Sequence, residues 1–152
     1  MLKKILIATD GSETSMLAAD IALGIGKRAN ASVSAVYVID VHRLAKLPGY
    51  AAMPGIKDRL MGLMIKEGNE ALGEIGDEAR DAGVACECWT ERGDPGEELL
   101  KLCLNGGFDL IVLGSIGRSG LQKLLLGSVA ERVVRHASIP VLVVPARAEG
   151  EA

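Results

Sequence analysis

Strand-like and helix-like segments alternate from one end of this 152-residue chain to the other. The strand-like segments are short apolar runs rich in β-branched residues, and the first of them, KILIAT at residues 4–9, has no polar face. Strands of this kind must be covered on both sides, which is the situation of parallel strands joined by helical crossovers. The sequence therefore predicts an α/β fold, with one parallel sheet between two layers of helices. In such sheets a ligand binds beyond the carboxyl ends of the strands, where the strand order reverses.

The pattern predicts five strands and four helices. The strands cover residues 4–9, 33–39, 84–90, 108–113 and 140–145, and the helices cover residues 13–29, 58–82, 95–104 and 128–136. Leu17, Ile21 and Ile25 recur at a spacing of four and predict the apolar stripe of the first helix. Residues 41–57 have no period and contain two prolines and two glycines, so we expect a long loop there, of the kind that often covers a binding site.

Four residues mark helix ends. Ser12 and Asp94 are predicted N-caps, and Pro95 follows Asp94 at the first helical position, where proline is favoured. Asn30 and Gly83 are predicted to end their helices, since both residue types adopt the left-handed conformation of a C-terminal cap.

The composition excludes several classes of function. A net charge of −3 and an aromatic content of 3% disfavour nucleic-acid binding, which requires a basic face or stacking rings. The first apolar run, residues 5–8, is too short for a secretory signal, and no run approaches the ~18 apolar residues of a membrane span. We therefore expect a soluble, cytoplasmic protein with no nucleic-acid or membrane partner.

The three cysteines do not have the pattern of a disulfide framework. Cys86 and Cys88 are two residues apart in a predicted strand, so their side chains face the same side and are too close in sequence for a usual bridge. Together with the distant Cys103 they also lack the spacing of a zinc site. We interpret all three as reduced, partly buried thiols.

A segment rich in glycine and serine follows the fourth strand. Residues 114–128, GSIGRSGLQKLLLGS, contain four glycines and three serines, and their two charged residues, Arg118 and Lys123, are both basic. Small residues allow a close approach of the backbone, and the positive charge favours an anion. The segment therefore predicts an anion site; the alternative is a loop whose glycines merely turn the chain.

The spacing within this segment specifies the anion further. Gly114 and Gly117 would let the backbone approach a phosphate, while Gly127 and Ser128 begin a helix whose free N–H groups and dipole attract one. Ser128 adds a hydroxyl donor. The segment is therefore predicted to bind phosphate groups.

The spacing G-2x-G-9x-G-S is also the nucleotide motif of the ATP-binding branch of the universal stress protein family, which this chain resembles. The resemblance extends to the opening KKILIATDGSETS, to YVID at residues 37–40, and to the block from FDLIVLG to PVLVVP at residues 108–145. It implies a universal stress protein domain over residues 1–146 and a disordered tail over residues 147–152.

The resemblance implies a fold, a ligand and an assembly. The fold is the adenine nucleotide alpha hydrolase-like type, a five-stranded parallel sheet in the order 3-2-1-4-5. The ligand is ATP, accompanied by Mg²⁺ or Mn²⁺ because triphosphates usually recruit a divalent cation. The assembly is a homodimer through strand 140–145, acting with an unidentified protein partner as a nucleotide-dependent switch or sensor in the stress response.

Eleven site residues follow from the resemblance: Ala8, Thr9, Asp10, Val38, Leu113, Gly114, Gly117, Arg118, Gly127, Ser128 and Val129. Asp10 would contact the ribose or the adenine, and Val38 would lie against the adenine. A carboxylate just beyond a strand can accept hydrogen bonds from ribose hydroxyls, although Asp10 could equally serve as a turn residue. Val38 could likewise be only a core residue of its strand.

Other patterns are less specific. Residues 24–29 fit GxGxxA, but they close a helix instead of following a strand, and no Walker sequence is present. Arg43, Lys46 and Lys57 could cover an anionic ligand from the long loop, where His42 is interpreted as a solvated residue. The acids near residue 94 are interpreted as a strand end and a helix cap.

Catalysis is not predicted by any motif. No residue of the glycine-rich segment is an evident general base, so ATP hydrolysis would be slow or absent. The alternatives are an ATP-using enzyme, either adenylating or a slow ATPase, and an interaction module that binds no ligand. The intact glycine spacing disfavours the interaction module.

Overall fold

The computed structural model describes residues 1–46, 53–116 and 126–147. Its five strands are β1 (Lys4–Thr9), β2 (Ser32–Asp40), β3 (Cys86–Gly93), β4 (Leu110–Gly114) and β5 (Val141–Val144). They form one sheet in the order β3-β2-β1-β4-β5, and every pairing is parallel. The predicted fold class and strand order are both confirmed.

Five helices are described: α1 (Glu13–Ala29), α2 (Val41–Ala45), α3 (Ile56–Ala82), α4 (Pro95–Asn105) and α5 (Ser128–His136). α1 and α3 pack on one face of the sheet, and α4 and α5 pack on the other. β1 shows why both layers are needed, since Ile5 and Ile7 lie in the α1/α3 core while Leu6 lies in the α4/α5 core. Of the described helices, none combines the length and the apolar character needed to cross a membrane.

The predicted helix ends are confirmed. Ser12 Oγ accepts a hydrogen bond from Ser15 N at 3.2 Å at the start of α1, and Asn30 ends that helix in the left-handed conformation at φ 54°. Asp94 caps α4 with Pro95 as its first residue. Gly83 ends α3, also in the left-handed conformation. These ends are encoded locally, which is why the sequence shows them.

The predicted apolar stripe of α1 is confirmed only in part, since Leu17 and Ile25 are half-buried against the core and Ile21 is not. Ile21 is 39% exposed, whereas Ala18, Ala19 and Ala22 are fully buried against the sheet. Small side chains allow the backbone of α1 to approach the strands closely. Ala18 and Ala22 lie one position after Leu17 and Ile21, so the most deeply buried part of α1 is made of small residues beside the predicted stripe.

The prediction of one long loop over residues 41–57 is also wrong. Its first five residues form α2, which is capped by a hydrogen bond from Arg43 N to Asp40 Oδ1 at 3.0 Å. α3 begins two residues earlier than predicted. A helix of little more than one turn is too short to show a period. Residues 47–52 lie outside the described residues.

β3 and β4 each begin two residues later than predicted. Val84 and Phe108, which the pattern assigned to these strands, are buried apolar residues that precede the strand pairing. Burial therefore extends beyond the hydrogen-bonded part of each strand. The tail prediction falls on residues 147–152, of which 148–152 lie outside the described residues.

Replacing glycine by alanine is expected to have opposite effects on stability at two positions of α3. A Cβ at Gly68 would lie 2.8 Å from the buried ring of Tyr37, whereas one at Gly73 would have nothing within 4 Å among the described residues beyond its own helix backbone. Alanine is favoured over glycine within a helix by about 1 kcal/mol. In urea denaturation, we expect Gly73→Ala to raise the free energy of unfolding by about 0.5–1 kcal/mol and Gly68→Ala to lower it. Equal effects at the two positions would contradict this packing.

Candidate functional site

A cavity of about 540 Å³ opens at the carboxyl ends of β1, β2 and β4. This is the point where the chain turns from one half of the sheet to the other, since β2 and β3 lie on one side of β1 and β4 and β5 lie on the other. Nine predicted site residues line the cavity: Ala8, Thr9, Asp10, Val38, Leu113, Gly114, Gly127, Ser128 and Val129. The other two, Gly117 and Arg118, lie outside the described residues.

The turn after β1 holds two of these residues in place. Thr9 Oγ1 accepts a hydrogen bond from Gly11 N at 3.1 Å and lies 2.9 Å from Ser15 Oγ. Asp10 Oδ1 accepts a hydrogen bond from Ser12 N at 2.9 Å. Asp10 is therefore a turn residue and a cavity residue at once, and the two sequence interpretations are compatible.

Gly114, at the end of β4, has a packing role that the sequence did not indicate. A Cβ at this position would lie 2.8 Å from Thr14 Cγ2 and 3.2 Å from Ser15 N. The absence of a side chain therefore brings the end of β4 directly against the first turn of α1.

Ser115 follows Gly114 and also lines the cavity, although it was not among the predicted site residues. Its backbone joins two elements, because Ser115 N donates to Val144 O at 2.8 Å and Ser115 O accepts from Gly127 N at 2.6 Å. Its side chain is 6% exposed, and its Oγ has no hydrogen-bond partner among the described residues. A buried hydroxyl without a partner destabilises the fold, so this group suits a polar ligand.

The start of α5 forms the opposite wall of the cavity. Gly127 is the N-cap residue, with φ −64° and ψ 161°, and it has no side chain with which to cap the helix. The N–H groups of Ser128 and Val129 lie in the first turn, where no carbonyl of the helix can accept from them. These donors and the helix dipole make this wall favourable to an anion.

The remaining wall is largely apolar. Val36, Val38, Leu99 and Leu113 line it, and all four belong to the core beneath α4 and α5. A flat, uncharged ring system would bury its surface here. Val38 is thus both a residue of this core and a residue of the cavity wall.

Charged residues lie on the β2 side of the cavity. Asp40 and Glu67 line it, although the sequence did not single them out, and Arg43 lines it from α2. Of the three basic residues predicted to cover the ligand, Lys46 and Lys57 are not among the lining residues. Asp40 could have been identified from the sequence, because it lies at the carboxyl end of β2. Glu67 lies within α3, and nothing in the sequence indicates that it reaches the cavity.

Asp94 connects the elements beside the cavity. Its Oδ2 accepts from Glu97 N at 3.0 Å and from Arg132 Nη1 at 2.6 Å, so it joins α4 to α5. The hydrogen bond from the Glu97 backbone lowers the pKa of the Asp94 carboxyl below its ordinary value of 3.8, and the charges of Arg132 and His42 lower it further.

The lowered pKa of Asp94 predicts how its contribution changes with pH. The contribution is fully present above the ordinary pKa of 3.8 and is lost as the pH falls through the lower pKa of the folded state. At pH 7 we expect Asp94→Ala to reduce the free energy of unfolding by about 1 kcal/mol, as for other N-cap losses. The difference from the wild type should shrink below about pH 4. Urea unfolding at a series of pH values measures it, and a difference that stays constant down to pH 2 would contradict the assignment.

The described residues contain no group of three or more His, Cys, Asp or Glu side chains that could hold a metal ion. A divalent cation at this cavity would therefore take most of its ligands from a bound molecule and from water.

A sequence model described as the universal stress protein family matches residues 1–145. This chain belongs to the universal stress protein family. Universal stress protein MJ0531 of Methanocaldococcus jannaschii is 41% identical to it over 144 residues, which cover 95% of this chain and 82% of MJ0531. The family assignment agrees with the strand order of the sheet.

Two solved structures illustrate the similarity. That of MJ0577, a universal stress protein of the same archaeon, has a TM-score of 0.83 at 30% identity and covers 98% of this chain and 99% of its own. A universal stress protein in complex with cAMP has a TM-score of 0.70 at 28% identity and covers 94% of this chain and 97% of its own. Both extend over nearly the full length of this universal stress protein.

Proposed function

We propose that this universal stress protein binds ATP in the cavity and works as a nucleotide-dependent switch or sensor. The adenine would lie on the apolar wall, the ribose beside Asp10, and the phosphates at the start of α5. The observation that carries the proposal is the convergence of nine predicted residues on one cavity, at a point where two N–H groups are left without acceptors in their own helix.

The proposed phosphate position rests on four donors of two kinds, backbone N–H groups and side-chain hydroxyls. The N–H groups of Ser128 and Val129 carry the positive end of the dipole of α5. The Ser128 side chain adds a hydroxyl, and the buried Ser115 Oγ supplies another that has no partner among the described residues. Hydrogen bonds from such donors to a charged oxygen are roughly twice as strong as those between neutral groups.

The adenine position rests on the apolar wall and on the family. Val36, Val38, Leu99 and Leu113 offer a surface without charge. The relative in complex with cAMP, at 28% identity, shares the family and carries an adenine nucleotide. An adenine nucleotide therefore suits the apolar wall of this cavity, and it is also the kind of ligand that this relative carries.

We propose that Mg²⁺ or Mn²⁺ accompanies the triphosphate. No metal-binding group of three side chains occurs within the described ranges, so the cation would be held chiefly by phosphate oxygens and water, the usual arrangement for Mg²⁺. It would neutralise part of the phosphate charge.

Hydrolysis is proposed to be slow or absent. Of the carboxylates lining the cavity, Asp40 and Glu67 lie on the β2 side, and β1 separates β2 from β4 in the sheet. Asp10 Oδ1 is held by the N–H of Ser12. These positions favour binding over activation of water at the terminal phosphate.

Three measurements test the proposal. Native mass spectrometry of freshly purified protein is expected to report the mass of an adenine nucleotide, and calorimetry on nucleotide-free protein is expected to show ATP binding more tightly than GTP. Phosphate release over time distinguishes a switch from an enzyme. A folded protein that neither retains a nucleotide nor binds added ATP would refute the proposal.

Asp10→Ala is expected to weaken ATP binding by about 1.5–3 kcal/mol, the range for a hydrogen bond to a charged group. Calorimetry with ATP and with inorganic triphosphate separates the ribose contact from the phosphate contact. We expect triphosphate binding to be unchanged. Asp10→Asn is the matched control for folding, because its side-chain oxygen can still accept from Ser12 N. Equal losses for ATP and triphosphate would show that Asp10 does not contact the ribose.

We further propose that the protein is a homodimer through β5. This strand is at one edge of the sheet, and Val141, Leu142 and Val143 are only half-buried there. An exposed apolar edge with unpaired backbone groups favours pairing with another strand. Two copies related by a two-fold axis would place β5 against β5 in antiparallel pairing.

A further inference from the structure

Cys86 and Cys88 form a pair of thiols on β3. Their side chains project from the same face of the strand, and the two Sγ atoms are 3.8 Å apart. β3 is the edge strand opposite β5, far across the sheet from the proposed dimer contact. The nucleotide cavity does not include either cysteine.

The surroundings of the pair leave it accessible to a small ion. Both cysteines are half-buried and pack at the margin of the core beneath α1 and α3. The α3 residue above Cys88 is Gly76, whose missing Cβ would lie 4.0 Å from the Cys88 Sγ atom. Cys103 is different, because it is buried in the core on the other face of the sheet. The pair is thus a half-buried dithiol that is separate from Cys103 and from the nucleotide cavity.

A disulfide does not suit this geometry. Residues two apart in a strand have Cα atoms about 6.6 Å apart, close to the upper limit for a disulfide, and their parallel Cβ atoms are separated by more than the usual ~3.8 Å. Closing the bond would require a distortion of β3. The two sulfur atoms are therefore better placed to share a third atom than to bond to each other.

A metal ion fits between them. An ion about 2.3 Å from both sulfur atoms would have an S–metal–S angle of about 110°, and opening this angle to 180° would separate the sulfurs by only about 0.8 Å more. Structural zinc requires four ligands, whereas the residues described here offer no third His, Cys, Asp or Glu to such a group. We propose that Cys86 and Cys88 form a two-thiolate binding site for a soft, thiophilic cation of the Cu(I) class.

Binding is an exchange of protons for the metal. Burial, with a smaller contribution from Cys88, raises the pKa of the Cys86 thiol to about 12, so Cys86 is protonated at neutral pH in the metal-free protein. One Cu(I) would displace a proton from each thiol, and the product is a bis-thiolate copper complex with one negative charge plus two released protons. No oxidant or reductant is consumed.

Competition for Cu(I) tests the site. Nucleotide-free protein, reduced and kept under anaerobic conditions, is titrated with Cu(I) bound to a chromophoric chelator. We expect the wild type to withdraw one equivalent, and Cys86→Ser and Cys88→Ser each to bind at least about tenfold more weakly. Cys103→Ala is the control and should compete like the wild type. Circular dichroism of each variant verifies that it is folded.

Alkylation of the wild type gives a readout that needs no variant. Because the protonated Cys86 thiol reacts slowly, the reaction with iodoacetamide is run at alkaline pH until Cys86 and Cys88 of the metal-free protein are both modified. Under the same conditions, peptide mapping should find both cysteines protected after one equivalent of Cu(I). Equal modification with and without Cu(I), or a Cys86→Ser/Cys88→Ser variant that competes as well as the wild type, would overturn the proposal. So would a Cys86–Cys88 disulfide formed readily under mild oxidation in a protein that withdraws no Cu(I).

Discussion

Replacing Gly127 by Val is expected to weaken ATP binding by at least about 100-fold, or 2.7 kcal/mol, while the protein stays folded. The backbone at Gly127, with φ −64° and ψ 161°, is in a region open to every L-residue, so the substitution introduces no backbone strain. The branched side chain would instead occupy the space through which a phosphate reaches the N–H groups of Ser128 and Val129. Two hydrogen bonds to a charged group, at about 1.5–3 kcal/mol each, would be lost.

A size series separates this steric effect from a change in folding. Gly127→Ala adds one methyl group at the same position and is expected to give a smaller loss of ATP affinity than Gly127→Val. Calorimetry measures both affinities, and thermal unfolding establishes that the variants are as stable as the wild type. Unchanged ATP affinity in folded Gly127→Val protein would exclude the start of α5 as the phosphate position.

The parts of the fold that the sequence predicted correctly are those encoded by neighbouring residues. Asp94 and Pro95 begin α4 and Gly83 ends α3, because caps and proline act within one helical turn. The predicted site residues came from the family resemblance, and nine of them line one cavity because the residues after β1 and β4 of a parallel sheet meet at one edge. Asp10 and Gly114 therefore line the same cavity although they are far apart in the chain.

The parts that the sequence did not predict depend on contacts between distant elements. Gly114 must be a glycine because Thr14 packs against it, and neither residue alone indicates this. Glu67 reaches the cavity from the middle of a long helix, where its position depends on how α3 crosses the sheet. α2 was missed because a helix of five residues has no measurable period. Tertiary packing, which has no local signature, decides each of these features.

The proposed homodimer depends on which backbone groups of β5 point away from β4. The carbonyl groups of Pro140 and Val144 accept hydrogen bonds from Ile111 of β4 and from Ser115, the residue after β4, so the backbone groups of both acceptor residues point toward β4. Because the backbone groups of a strand alternate sides from one residue to the next, the N–H and C=O of Val141 and Val143 point outward. The outward groups are the ones that a second copy of β5 would pair with.

Val143→Pro is therefore expected to convert the dimer into a folded monomer. Proline removes the N–H of Val143, which points away from β4, so each protomer loses one hydrogen bond across the interface. The pairing with β4 through Leu142 and Val144 is kept. Leu142→Pro is the matched control one residue away, since it removes an N–H that faces β4 and should lower the free energy of unfolding by about 1–3 kcal/mol. Sedimentation velocity at tens of micromolar distinguishes the species, with a dimer expected for the wild type and a monomer for Val143→Pro. A wild-type monomer at that concentration, or a Val143→Pro protein that remains dimeric, would exclude β5 as the interface.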